Sequence, residues 1–89
     1  MKICIIDGEK ITDREGLHDI LAKELTLPEW YGRNLDALYD CLTERKEEAT
    51  IRILHESVLE ERLGGYAKAL RNVLSAAAGE NPGIYVLVE

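Results

Sequence analysis

The chain has 89 residues, 46% of them hydrophobic and 31% charged, with a formal net charge of -6. That length suits one domain with a single core and little surplus stability, and it excludes a separate catalytic domain. The acidic balance excludes a general nucleic-acid binder, which needs a lysine and arginine surplus against phosphates, and suits attraction to a basic protein.

The opening MKICIIDGEK carries only a short apolar run before Asp7. This is less than a signal peptide or membrane helix requires, so the expected location is the cytoplasm, with no membrane partner. Ile3, Cys4, Ile5 and Ile6, closed by Asp7-Gly8, read as a strand buried on both faces. Thr12 and Glu15 have capping-box spacing, and Leu17, Ile20, Leu21 and Leu25 then keep one helix face apolar until Pro28 stops it. A second helix is expected from about Leu35 to Glu47, with Asn34 as its cap and Leu35, Leu38, Cys41 and Leu42 inward.

Thr50 to Leu54 is rich in β-branched residues and reads as a second strand. A short helix is expected over Val58 to Leu63. After Gly64-Gly65 the last helix is patterned by Tyr66, Ala69, Leu70, Val73, Leu74 and Ala77, ending near Gly79. Gly83 to Val88 closes the chain as a third strand behind Pro82. Three short strands separated by helices predict an α/β unit with parallel pairing and right-handed crossovers.

The segment Pro28 to Thr43, PEWYGRNLDALYDCLT, is the most informative. On a helix begun by Asn34, Asp36, Asp40 and Thr43 share a face, with Glu44 in the same arc and Tyr39 at its border. Like charges one turn apart oppose the helix by roughly 0.2 to 0.5 kcal/mol. A charged helix face is ordinarily solvated surface. Here the aromatic border, the Trp30-Tyr31-Gly32 turn and the lack of cations on the helix before Arg45 favour a basic partner instead. Trp30 reads equally well as a core anchor or as a partner contact.

Other chemistries find less support. Asp36, Asp40 and Glu44 could offer oxygen ligands to Mg²⁺ or Ca²⁺, but a row on one exposed helix makes no cage. His18 and His55 have no Cys or His at ligand spacing and read as surface or satisfied histidines. Acid–base work by the aspartates would need a cleft and unlike environments, and neither is visible in the sequence. Cys4 and Cys41 read as buried reduced thiols, without CxxC spacing. GxSxG and phosphate-cradling glycine loops are both missing, and together these gaps weigh against an enzyme, which would need a divalent metal at Asp36 and Asp40.

These residues carry a resemblance. Leu27-Pro28-Glu29-Trp30-Tyr31-Gly32 and Asn34 to Thr43 resemble the barstar family of intracellular ribonuclease inhibitors. The similarity runs along nearly the whole chain, through Asp7-Gly8-Glu9, Leu17-His18 and Lys23-Glu24-Leu25. It implies one barstar-like domain over 1–89, a three-stranded parallel sheet packed by about four helices, and no cofactor or catalysis. It also implies a partner: a basic secreted ribonuclease of the barnase type or a related nuclease toxin, bound by a protein that is monomeric when free.

In that family the second helix and its preceding loop plug the nuclease site, with carboxylates where RNA phosphates would lie. Carried over by position, Asp40 would enter the phosphate-binding arginines and Asp36 would meet a second basic group. Thr43 would add a hydrogen bond, while Trp30, Gly32, Asn34, Leu35 and Tyr39 would shape the contact. The chain departs from the family prototype in several places. Trp30 stands for tyrosine, Tyr39 for tryptophan and Arg33 for an acidic residue, and Ser75 to Ala77 lack a glutamate of the last helix. These changes thin the local negative field and point to a different nuclease. A barstar-fold module binding a non-nuclease partner is the alternative reading.

Overall fold

The computed structural model describes residues 1–89, in the order β1 (Lys2–Asp7), α1 (Arg14–Glu24), α2 (Leu35–Thr43), β2 (Ala49–Leu54), α3 (Glu56–Leu63), α4 (Gly65–Glu80) and β3 (Ile84–Val88). The sheet order is β1-β2-β3 with both pairings parallel, so the expected α/β fold with four helices is the observed one. None of the helices is long and apolar enough to cross a membrane.

The first strand departs from expectation. Cys4 and Ile6 are buried, but Ile3 and Ile5 are 57% and 39% exposed, so β1 buries one face only. Register explains the division: Cys4 pairs with Ile51, and Ile6 with Ile53, on the inward face. On the outward one Ile3 lies beside Thr50 and Ile5 beside Arg52, with Tyr85 and Leu87 in the same rows one strand further on. There Arg52 donates from Nε and Nη2 to the two Glu89 carboxylate oxygens at 2.6 and 2.8 Å.

Helix ends also shift, for identifiable reasons. Asp13, not Thr12, caps α1, its Oδ1 accepting from Gly16 N–H at 2.7 Å; aspartate is the stronger cap of the two. The expected cap of α2 is present, with Asn34 Oδ1 accepting from Ala37 N–H at 2.8 Å. This helix stops at Thr43 rather than Glu47. Residues 44–48 offer no apolar side chain to bury, and Asn81 Nδ2 takes the carbonyls of Leu42 and Arg45, both at 2.9 Å.

Only Leu38 and Leu42 of α2 are fully buried, whereas Leu35 and Cys41 are half-buried at its flanks. On α4 the buried set is Ala67, Leu70, Leu74 and Ala77, with Tyr66, Ala69 and Val73 half-buried. Cys4 is fully buried and its thiol is pushed up to about 12 by desolvation; both cysteines are free.

Candidate functional site

The turn before α2 is tightly packed against the helix. Gly32 approaches the helix closely: a Cβ there would lie 3.2 Å from Ala37 Cβ and 3.3 Å from Asn34 Nδ2. Arg33 follows in the left-handed region at φ 56°, uncommon for a side chain of its size. Its guanidinium spans to α1, donating to the Glu15 carbonyl at 3.1 Å and pairing with Asp19. Asn34 spends both halves of its amide, capping α2 and donating to the Gly32 carbonyl at 3.2 Å. Its role in the structure is thus to hold the turn against the helix.

The two neighbouring aromatics part company. Trp30 is 78% exposed, which removes its core-anchor reading, while Tyr31 is buried at 6%. Tyr31 Oη lies 2.6 Å from His18 Nδ1, and Tyr66 Oη lies 2.7 Å from His18 Nε2. One buried imidazole thereby ties the turn to α1 and α4. Arg14 covers the outer face of the Tyr66 ring, 4.2 Å from its centroid.

A neutral imidazole donates from one nitrogen and accepts at the other, so one tyrosine hydroxyl donates to His18 and the other accepts from it. Protonation would make both nitrogens donors and reverse one hydroxyl inside the core. Burial, then the Arg33 charge, holds the His18 pKa below the usual 6.5, with Asp19 opposing. The unfolded chain binds this proton more readily, so its stabilising contribution is full above the unfolded value. It is lost as pH falls from there through the depressed folded value. Urea midpoints measured down this range should therefore fall more steeply for the wild type than for His18→Gln; parallel profiles would refute the assignment.

Along α2, Asp36 and Asp40 are exposed and Thr43 is half-buried. The Thr43 hydroxyl already donates to the Tyr39 carbonyl at 2.9 Å, leaving its lone pairs to accept from a partner. Tyr39 and Leu35 pack against the core with part of their surface open. The two aspartates open into different hollows. Asp40 lines a cleft of about 330 Å³ with Glu44, Trp30, Gly32, Ala37 and Cys41. Asp36 lines a broader groove of about 620 Å³ between α1, α2 and Tyr66, beside Arg14, Glu15 and Arg33.

The first hollow has two carboxylates and an indole wall, a combination whose chemistry suits a cationic group. The second balances two carboxylates against two guanidiniums. The Arg45 side chain turns back to donate to the Leu25 carbonyl at 2.9 Å and lines a neighbouring hollow with Glu44, Trp30 and Cys41. Sequence reasoning placed Glu44 in the acidic arc but missed its share in the cleft, which the loop at 30–32 completes. It also missed the tyrosines around His18.

A family model described as "Barstar (barnase inhibitor)" matches residues 1–89. The chain is 40% identical over 81 residues to the Bacillus subtilis (strain 168) protein called "Putative ribonuclease inhibitor YrdF", a match covering 90% of this chain and 89% of that one.

Proposed function

The chain belongs to the barstar family, and from that premise we propose that it is a stoichiometric protein inhibitor of a ribonuclease, working through α2 and the turn before it. The observation that carries the reading is the cleft where Asp40 and Glu44 face the exposed Trp30. A ribonuclease must present arginine, lysine and histidine to an anionic substrate. Such groups complement two carboxylates beside an aromatic wall, so the inhibitor occupies the phosphate subsite without being cleaved. Asp40 is the central contact and Asp36 the second. Trp30, Gly32, Leu35, Tyr39 and Thr43 form the surrounding surface, and Asn34 fixes the turn.

The corresponding role is immunity: the protein acts in the cytoplasm as a monomer, against a basic nuclease that is self-made or delivered by neighbours. Neither a cofactor nor catalysis is part of this proposal. The salt bridge from Arg33 to Asp19 and the groove containing Arg14 make the surface less uniformly acidic than carboxylates alone would. A partner with a charge pattern different from that of barnase fits this surface.

Purified protein mixed with a barnase-type nuclease, or with one encoded beside it, should abolish RNA cleavage at one inhibitor per enzyme. Raising salt should slow association, because steering between an acidic inhibitor and a basic cleft is screened beyond about 8 Å at physiological ionic strength. An on-rate unchanged by salt would remove electrostatic steering. Recovery of a single non-nuclease partner, with no nuclease inhibited, would favour the interaction-module reading.

A further inference from the structure

We propose that Asp7, Glu9 and His55, at the carboxyl ends of β1 and β2, form a binding site for a divalent transition-metal ion of the zinc type. The site lies outside α2 and its turn and is independent of the inhibitory surface. His55 Nδ1 is 2.9 Å from Asp7 Oδ1 and 3.6 Å from Glu9 Oε1, and all three donors lie within 4.8 Å of one another. With bonds of about 2.0 to 2.2 Å, neighbouring ligands of a tetrahedral zinc stand about 3.4 Å apart. Shifts of a few tenths of an ångström at Asp7 and a rotation of the exposed Glu9 side chain would bring the three to that spacing.

The fold brings together residues 48 positions apart. Asp7 ends β1 opposite Leu54, the last residue of β2, so Asp7 and His55 leave adjacent parallel strands side by side. Gly8 lets the two connections pass closely, since a Cβ there would lie 2.3 Å from the His55 carbonyl oxygen. The Gly8–Ile11 loop is fastened by Arg62 Nη1, which donates to the carbonyls of Gly8, Glu9 and Ile11 at 3.0, 2.7 and 3.3 Å. Asp7 Oδ1 also accepts from Glu9 N–H at 3.0 Å, which orients its carboxylate. His55 precedes α3 without capping it through its side chain, leaving its ring turned to Asp7.

The donor set selects the ion class. Two carboxylates and one neutral imidazole supply charge -2 against a divalent cation, and the imidazole nitrogen distinguishes this set from a surface patch of acids. Hard Mg²⁺ and Ca²⁺ prefer cages of oxygen, whereas zinc takes mixed nitrogen and oxygen donors and can keep a water at its fourth position. Binding replaces the proton on Nδ1 with the metal and releases it to solvent. Lys10, whose charge acts on Asp7, and Arg62, bound to the Glu9 carbonyl, reduce the affinity without occupying the donor atoms.

Untagged protein titrated with Zn²⁺ in a calorimeter should show saturable uptake of one ion, shift the His55 ring resonances and raise the thermal midpoint. Asp7→Asn and His55→Ala should each weaken uptake more than tenfold and abolish the midpoint rise. Glu9→Gln, on an exposed loop, should weaken it and remain folded. Uptake should survive both Cys41→Ser and the Asp36→Ala, Asp40→Ala pair. No saturable uptake would overturn the proposal. So would uptake that persists in His55→Ala, disappears in Cys41→Ser, or is matched by Mg²⁺.

Discussion

Asp40→Ala is expected to weaken nuclease inhibition by about 2 kcal/mol or more, the size of an interface hot spot. That corresponds to at least roughly a thirtyfold rise in Kd. Asp40 sits in the cleft with Glu44 and Trp30, where a partner's cation would lose its water and leave a buried unpaired charge once the carboxylate is gone. The barnase and barstar pair is itself the best-known case of such coupling, so this magnitude is a family expectation rather than a result of the distances here.

Folding should respond in the opposite direction. Asp40 is exposed, and its neighbours at one turn, Asp36 and Glu44, carry like charge. Removing the central charge relieves repulsion worth a few tenths of a kcal/mol, roughly 0.2 to 0.5 per pair, and alanine favours the helix. Thermal melts should therefore show a variant at least as stable as the wild type that inhibits poorly. Full inhibition by that variant would remove Asp40 from the proposed contact. Asp36→Ala should cost less, because Arg14 and Arg33 beside it already cancel part of the negative potential that Asp36 offers a cationic partner.

Local signals were the readable ones. Asn34 three residues before Ala37, and Leu38 four before Leu42, reveal a capped helix and its buried side because cap and period act within one turn. The division between Trp30 and Tyr31 was not readable. It depends on His18, 13 positions earlier, and through His18 on Tyr66, 48 positions further along the chain than that histidine. Asp36 and Asp40 share the acidic helix surface, yet the hollows they enter are built by other segments. Strand β1 misled because an unbroken apolar run does not state which face the helices cover; Ile3 and Ile5 remain outward beside Thr50 and Arg52.

The reverse side of α2 leads to the second large effect. Leu38 is fully buried, and Leu38→Ala should destabilise the fold by about 2 to 5 kcal/mol through lost transfer energy and an unfilled cavity. For a domain whose whole stability is about 5 to 15 kcal/mol, that is a large fraction. The thermal midpoint should fall by about 4 to 8 °C for each kcal/mol lost. A loss below about 1 kcal/mol in urea melts would mean that neighbouring side chains collapse into the space.

The outward carboxylates are untouched by this change, so the molecules still folded should inhibit as the wild type does. Because a partner that binds only the folded state stabilises it by mass action, added nuclease should raise the midpoint of Leu38→Ala. The same nuclease should stabilise Leu38→Ala combined with Asp40→Ala less, by about the 2 kcal/mol or more that the Asp40 contact contributes. Equal rescue of both proteins would show that binding does not pass through Asp40. Rescue of neither would show that Leu38 also holds α2 in its binding position.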